Sequence, residues 1–425
     1  MDRPNLLRYL RLAKEGSWIV LGQIAAVLGS LVLVRVLTEH LSPAEYGQLA
    51  LGLTVAGLVH QVVIGGVGNG ISRFYAIAAE QQDLCGYLRA SRQLMFYATL
   101  AALAIGMTLM ASLLLFGYTQ WIALAAAALI FSVLSGYNGN ISTIQSAARQ
   151  RAVVAFHAGL DAWLKILLAL GVMLWLGNSS TAVVIGYALS SLLVTGSQLI
   201  FLRRLIPNQS RPNMESLQWR QQMWAYSWPV STWGIFTWLQ QSTDRWALEG
   251  FATTQDVGLY AVLYQLGYAP IAIVTGLAAS FLGPILYQRS GNATDHARNT
   301  NVHRLVWRIT FFCMALTLIA FVLALCLHGW IFRLLVATDY RSASYLLPWM
   351  VLAGGIFSAG QMLTLKMMSE LKSKAIMWVK IGTAILGVLF NLYGASVAGV
   401  AGVAMAAAAF SAIYFVWIFL LSFKA

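Results

Sequence analysis

The sequence predicts an all-α polytopic membrane protein, with twelve transmembrane helices in two six-helix bundles related by internal duplication. Three observations carry that expectation. Hydrophobic residues make up 59% of the 425 and charged ones 10%, whereas a soluble domain carries roughly 25% charge to stay solvated. Apolar stretches of about 20 residues, the length that crosses a hydrocarbon core of roughly 30 Å, recur along the whole chain. The chain also repeats itself. Arg35, Glu39 and Glu45-Tyr46-Gly47 return in the same order as Arg245, Glu249 and Asp256-Val257-Gly258, and Arg149-Gln150-Arg151-Ala152 ahead of Gly159 returns as Lys372-Ser373-Lys374-Ala375 ahead of Gly382. A short period indicates a solenoid; a period of half the chain, in an apolar sequence, indicates two membrane bundles.

The elements are taken in chain order. Residues 1-16 form a cytoplasmic arm in which Leu6, Leu7, Leu10 and Ala13 share one helical face against Arg3, Arg8, Arg11 and Lys14. That pattern fits either an amphipathic helix lying on an anionic leaflet or the ordinary basic flank of a span. The first apolar stretch is too long for a signal h-region and has no small-residue cleavage site behind it, so it is expected to stay as helix one. Residues 17-205 make the N-terminal bundle, with spans at 17-38, 47-76, 94-117, 120-143, 153-176 and 181-203. A cytoplasmic linker, 206-223, leads to the C-terminal bundle, 224-425, with spans at 224-249, 256-287, 306-330, 343-366, 375-395 and 397-423.

The net charge of +13 raises the question of nucleic acid, since basic chains often bind phosphate backbones. Its distribution excludes that class. Most of the 27 Lys and Arg residues lie in the N-terminal arm, in every second loop with its flanks, or at the C-terminus, among them Arg89 and Arg92, Arg149 and Arg151, Arg203 and Arg204, Arg304 and Arg308, and Lys372 and Lys374. The intervening loops hold Arg333, Arg341 and almost nothing else. This asymmetry is the positive-inside pattern and places both termini in the cytoplasm. Cys85, Cys313 and Cys326 are odd in number and imply neither a disulfide framework nor a metal site. No Gly-rich loop ends in Gly-Lys-Ser/Thr to cradle ATP phosphates, and the longest outer loop, about residues 331 to 342, is too short for the acceptor-holding domain of a glycan polymerase or ligase.

Candidate binding residues are the charges that lipid should not tolerate. An ionisable side chain near mid-bilayer costs roughly 2.5 to 3.5 kcal/mol, so one that persists faces a cavity or a partner. Arg35 lies in the outer third of span one, and Arg245 is its repeat mate in span seven, next to Asp244. Two equivalent guanidinium forks suit a pyrophosphate or an acidic sugar; alternatively each pairs with its own carboxylate one turn on, Glu39 or Glu249. Asp161 and Lys165 are one turn apart in span five, either as a structural pair or as a pair that opens in transport, Lys165 taking up a substrate anion and Asp161 a cation or proton. His60, in mid-span two, is a packed histidine or a proton carrier. Arg73, at the inner end of the same span, serves topology and the cavity mouth. The run Gly65 to Gly70 permits a bend or close helix approach. Trp224, Trp228, Trp233, Trp238 and Phe236 line span seven beside Asp244 and Arg245; Trp233 and Trp238 are candidates for stacking on sugar rings, with lipid-facing packing as the alternative.

These residues carry a family resemblance. The segment Thr38 to Gly47, reading TEHLSPAEYG, the run Ile71-Ser72-Arg73-Phe74-Tyr75, Asp244-Arg245 leading to Val257-Gly258-Leu259-Tyr260, and Asn391 followed by Gly402-Val403-Ala404 resemble the polysaccharide flippases of the Wzx (O-antigen) type. Those belong to the multidrug/oligosaccharidyl-lipid/polysaccharide (MOP) exporter superfamily. The likeness spans the chain. It implies two six-helix bundles enclosing a central cavity that opens alternately inward and outward, and a cargo of undecaprenyl-pyrophosphate-linked oligosaccharide turned across the bacterial inner membrane. Such a transporter has no catalytic residues and no cofactor; coupling to an H+ or Na+ gradient is open, and polysaccharide polymerase and chain-length machinery are the expected partners. The chain departs from the family pattern at Asp244, an acid where an apolar residue is commoner, and in its short C-terminus. A cation-coupled small-molecule exporter of the same superfamily is the alternative, and a membrane-embedded polymerase or ligase a more distant one.

The sidedness is directly testable. Single cysteines placed at Ser42, Thr119, Ser179 and Thr254 should react with an impermeant maleimide from outside the cell, and cysteines at Asn208 and Asn292 should react only after the membrane is opened; the reverse pattern would invert the topology.

Overall fold

The structure is a computed structural model that describes residues 3–203, 216–276, 286, 296–369 and 373–423. The regular elements among them are all helical. A backbone in lipid has no water to bond, and a helix satisfies its N–H and C=O groups within its own segment. The helices are α1 (Arg3–His40), α2 (Pro43–Val59), α3 (Gly65–Glu80), α4 (Leu84–Leu115), α5 (Ile122–Ala147), α6 (Arg151–Leu176), α7 (Ser180–Arg203), α8 (Ser216–Phe251), α9 (Thr254–Leu263), α10 (His296–Leu335), α11 (Leu347–Ser369) and α12 (Ser373–Phe423). Two π segments extend helices: His60–Ile64 joins α2 to α3, and Tyr264–Tyr268 carries α9 on into residues 269–276. The side chains of residues 3–15, which carry the amphipathic pattern of the arm, lie outside the described residues, as do 206–215 of the expected linker.

Ten stretches among the described residues are long and apolar enough to cross a bilayer. The last of them, Ile376–Ser422, contains two crossings, because helical geometry breaks at Ala398 (φ −141°, ψ 19°) and Gly399 (φ 53°, ψ −130°). Gly399 sits in the left-handed region, where a side chain would be strained. The break falls just inside the span expected at 397-423, so the two crossings divide a few residues later than the sequence indicated. Span seven corresponds to α8, which is helical throughout but too rich in Gln, Ser and Thr, and in Asp244 and Arg245, to qualify on apolarity. The chain is an all-α polytopic membrane protein. The stretch 331–342, expected as an outer loop, is largely helical: α10 continues to Leu335 and a 3-10 segment covers Thr338–Leu346.

Two compact units form. The first comprises Met1–Val36 and Leu51–Trp238, the second Leu37–Ala50 and Leu239–Ala425. Their limits differ from the sequence halves at two places, residues 37–50 and 224–238.

In the first unit α1 packs on α6 through small residues seven apart: a Cβ at Gly22 would stand 2.8 Å from Ala155 Cβ, and one at Gly29 3.0 Å from Ala162 Cβ. Close backbone approach of this kind replaces the hydrophobic drive that lipid removes. Val67, Ile71, Tyr87, Ala90, Leu94 and Trp219 belong to its core. Buried polar groups in it find partners. Asp83 caps α4 by accepting from Gly86 N (2.9 Å) and also accepts from Trp219 Nε1 (2.8 Å); the Tyr87 hydroxyl donates to Ile71 O (2.7 Å), and Ser132 Oγ to Ala56 O (2.8 Å). Trp219 thereby ties the start of α8 to this unit, and Trp238 Nε1, donating to Thr54 O at 2.7 Å, does the same further along the helix. The glycine run after the first π segment serves close approach: a side chain at Gly66 would meet Ser231, and one at Gly70 would meet Ser227.

In the second unit α10, α11 and α12 share a core that includes Val302, Val306, Leu363, Met367, Tyr414 and Ile418. Here the two copies of the repeated element touch each other. A Cβ built on Gly47 would run into Thr254 O and crowd Gly258 N; one built on Gly258 would run into Pro43 O and crowd Gly47 N. The contact is reciprocal, as between two-fold-related copies. It explains why 37–50 belongs with the second unit, and why both copies of the repeat carry glycine at that position. Tyr340 reinforces it, donating to Leu41 O (2.9 Å) and meeting Tyr46 edge to face at 5.8 Å.

Because the atoms facing each glycine are backbone, they cannot turn aside as a side chain would. Gly47→Leu and Gly258→Leu should each destabilise the fold by about 3 kcal/mol, seen as loss of monodisperse protein in fluorescence-detected size exclusion. Leucine at Gly16, where a Cβ meets nothing within 4 Å, should leave the profile unchanged.

Candidate functional site

Arg245 begins the more extensive polar site, inside the second unit. It lies in the last third of α8, behind Thr243 and Asp244, which are both buried. Its guanidinium does not turn to Glu249. It sits over the Tyr264 ring, 5.1 Å from the centroid, with Nη1 3.4 Å from Gln241 O. Glu249 instead accepts from Thr254 Oγ1 at 3.0 Å. The local ion pair weighed from the sequence is therefore not made at this copy of the repeat. Asp244 accepts from the Arg245 backbone N–H (2.8 Å), and Tyr260 lies beside the same carboxylate.

From Tyr264 a file of aromatic rings continues. Tyr260, Tyr264 and Tyr268 follow one another at intervals of four residues, and the second π segment spans the last two. The wider π turn, with its i→i+5 bonds, brings side chains four apart closer to alignment, and the Tyr264 and Tyr268 rings stack at 4.9 Å with 17° between planes. Tyr268 meets Phe357 of α11 at 6.1 Å, and Phe357 meets Phe410 and Tyr414 of α12 at 5.9 and 4.9 Å. Tyr414 is pinned by a 2.8 Å hydrogen bond between its hydroxyl and Thr364 Oγ1. Tyr264, Tyr268, Phe357 and Phe410 are half-buried, so each keeps open surface. At the head of the file, Arg245 Nε and Glu249 Oε2 are buried atoms with no hydrogen-bond partner among the described residues. Buried polar atoms are nearly always bonded, and an exception needs an explanation. A cation with an unspent donor above stacked rings can hold an anion joined to a sugar: the guanidinium takes the charge and the ring faces take the apolar faces of the pyranose.

The second candidate lies in the first unit. Lys165 Nζ is 2.6 Å from Asp161 Oδ2, the one-turn pair that the sequence indicated. Their side chains are 23% and 20% exposed, so the pair is within reach of solvent. It does not stand alone. Ser190 of α7 donates to Asp161 Oδ1 at 3.1 Å, and Lys165 also sits 5.6 Å from the centroid of Phe131 on α5. The carboxylate thus faces a hydroxyl and the ammonium an aromatic face, and the pair bridges three helices.

The other sequence candidates are dispersed. Arg35 is half-buried in the first unit, while Glu39 is exposed and falls in the second. Arg73 is exposed in the middle of α3, seven residues before its end. His60 opens the first π segment with a buried Nδ1 that has no hydrogen-bond partner among the described residues. Trp238 is spent on Thr54 O, and Trp224, Trp228 and Phe236 are exposed, at 53%, 55% and 45%. The Trp233 side chain lies outside the described residues. What the sequence reading missed was the tyrosine file; its signal was the spacing of Tyr260, Tyr264 and Tyr268, one face of a helix.

Comparisons with known proteins bear on both fold and family. A family profile described as "Polysaccharide biosynthesis protein" matches residues 12–290. No curated protein matches the sequence. Among solved structures, an inward-facing multidrug resistance MATE family transporter of the MOP superfamily superposes with a TM-score of 0.68 at 12% identity, over 96% of this chain and 98% of that one. The lipid II flippase MurJ, in an inward closed conformation, gives 0.68 at 10% identity, over 97% and 88%. The MATE multidrug transporter DinF-BH gives 0.67 at 15% identity, over 100% and 96%. At these identities the likeness is one of fold.

The surroundings of Asp161 and Lys165 make charge reversal unequal. Asp161→Lys with Lys165→Asp preserves a pair but sets a carboxylate against the Phe131 face, so the doubly swapped protein should lose about 1 to 2 kcal/mol and melt several degrees lower in detergent. Adding Phe131→Leu should return part of the loss; a swap that melts like wild type would show that the ring contributes nothing.

Proposed function

Because the chain belongs to the polysaccharide biosynthesis protein family, we propose that it is a flippase for undecaprenyl-pyrophosphate-linked oligosaccharide, turning repeat units across the bacterial inner membrane during surface polysaccharide synthesis. The single observation that carries this reading is the Arg245 guanidinium, with an unspent buried N–H, at the head of the Tyr264–Tyr268–Phe357 file. A lipid-linked oligosaccharide has a pyrophosphate next to its first sugar. The site offers a cation next to its first ring. Arg35, the repeat mate of Arg245, and Arg73 and Lys165 are the candidate cations of the first unit for an anionic cargo.

The cargo crosses by alternating exposure of this site to the two faces of the membrane, with both termini in the cytoplasm. No bond is made or broken, so no enzyme chemistry and no cofactor enter the scheme. The driving force is an H+ or Na+ gradient, taken up at Asp161 or at His60, or consumption of the flipped cargo by polymerase and chain-length machinery outside. A second reading, a cation-coupled exporter of small molecules, is favoured by the fold shared with MATE transporters. It differs in the group its cargo would meet: an anion would turn to the Arg245 guanidinium, a drug-like cation to the Asp244 and Glu249 carboxylates at the head of the same file.

Export of repeat units in a strain lacking its own flippase tests the first reading. Arg245→Ala should abolish export at normal protein abundance, Arg245→Lys should restore only part, because the bidentate fork is lost, and Tyr264→Phe should be tolerated where Tyr264→Leu is not. Loss of one ring platform is worth roughly 1 kcal/mol, about a five-fold fall in export. Full export by Arg245→Ala, or protection of cells from cationic dyes that this variant leaves intact, would favour the exporter.

A further inference from the structure

The first unit holds a cavity of about 410 Å³ between α3, α4, α5 and α7. Three of the helices reach it by their ends, α4 with residues from Cys85 to Met95, α5 with residues from Tyr137 to Ile144 and α7 with Leu199 and Leu202, and α3 adds Ile71 from its middle. These are the ends that the charge asymmetry assigns to the cytoplasmic leaflet. The lining is divided in character. Leu88, Ile141, Ile144 and Leu199 make its walls apolar, whereas Arg89 and Arg92, both exposed, give it a cationic rim.

Three features mark this as a binding site rather than a basic flank. Arg89 and Arg92 are three residues apart and so share a face of α4, where like charges repel unless an anion lies between them. Among the described residues neither guanidinium has a carboxylate within ion-pair distance; Asp83, on the same stretch, is occupied by Gly86 and Trp219. Deeper in, Asn140 is buried yet donates its amide to Met95 Sδ at 2.9 Å. A thioether is a weak acceptor, and an ester or phosphate oxygen would serve that N–H better.

We propose that this cavity binds an anionic phospholipid of the cytoplasmic leaflet. The phosphodiester sits between Arg89 and Arg92, a glycerol ester oxygen meets Asn140, and the first part of one acyl chain enters the apolar slot. Basic pockets between helices on the cytoplasmic side take anionic head groups for this electrostatic reason. The volume suits part of one acyl chain, being at the small end of ligand pockets, and is far too small for a long polyprenyl tail. A zwitterionic head group would bring its own cation against the two arginines. The site is independent of the cargo proposed above and stands or falls separately.

Native mass spectrometry of the full-length, delipidated protein in detergent tests it, with phosphatidylglycerol, phosphatidylcholine and farnesyl diphosphate as probes. Phosphatidylglycerol should bind well ahead of phosphatidylcholine, and Arg89→Gln with Arg92→Gln should weaken it roughly thirty-fold, at about 1 kcal/mol per arginine. The pair Arg149→Gln with Arg151→Gln should leave its binding within about two-fold, as a control for general surface charge. Equal binding of the two phospholipids, or an unchanged affinity in the Arg89/Arg92 variant, would overturn the proposal. So would displacement of phosphatidylglycerol by equimolar farnesyl diphosphate, which would assign the site to a polyprenyl pyrophosphate. Should the double variant not fold, Leu199→Trp narrows the slot from a side chain that is already 44% exposed and leaves both cations in place. It should cost about ten-fold in phosphatidylglycerol affinity, and undiminished binding would again refute the site.

Discussion

The mutual approach of Gly47 and Gly258 is the contact on which the second unit depends. Each glycine lies against a main-chain carbonyl of the other copy's helix start, Thr254 O for Gly47 and Pro43 O for Gly258. Lipid tails are as apolar as leucine, so helices in a membrane gain little by hiding apolar side chains from their surroundings; they gain by packing closely and by pairing polar groups. Removing both Cβ atoms at one crossing is the cheapest way to let two backbones touch. The consequence is positional. The crossing sets the start of α9, and α9 in turn carries Tyr260 and Tyr264 to Asp244 and Arg245, while Tyr46 next to Gly47 is held against Tyr340.

A duplicated element that meets its own copy must be complementary to itself. This constraint differs from the one on the rest of the chain, where each helix needs only to fit its neighbours. It accounts for the repeat being legible at Glu45-Tyr46-Gly47 and Asp256-Val257-Gly258 when most of the two halves share no obvious sequence. The second repeated run has a different basis. Arg149, at a positive φ of 60°, turns the chain into α6, and Ser373-Lys374-Ala375, the counterpart of Gln150-Arg151-Ala152, opens α12. Both runs begin the fifth crossing of a half and carry charge of the kind that the positive-inside pattern assigns to the cytoplasm.

The membrane also sets what α8 can do. A helix carrying Asp244 and Arg245 is tolerable in lipid only if neighbouring elements absorb the charges. Tyr264 and Gln241 do so in part, and the remainder, the bare Arg245 Nε and Glu249 Oε2, is the polar capacity that the proposed cargo would use. Both π segments lie shortly after the helix that begins at the repeat crossing, one with His60 and one with Tyr264 and Tyr268. Such segments insert a residue into a helix at some cost and recur at functional sites. In the second half the gain is visible as the 4.9 Å tyrosine stack.

The order and class of the crossings, the repeat, and the pairing of Asp161 with Lys165 were all legible in the sequence. Each depends on a rule that acts on short stretches of chain: hydropathy over about 20 residues, identity between two short runs, or the 3.6-residue period that places i and i+4 together. Arg245 shows where that reasoning stops. Along its own helix it had Glu249 in reach, yet it took Tyr264, and Glu249 took Thr254. Trp238 likewise went to the Thr54 carbonyl instead of joining an aromatic surface, while the rings that do stack came from α9, α11 and α12. Partners on different helices are chosen by how the helices are rotated and how closely they cross. Those quantities arise from all the packed side chains at once, with glycines at the crossings, and no single segment encodes them.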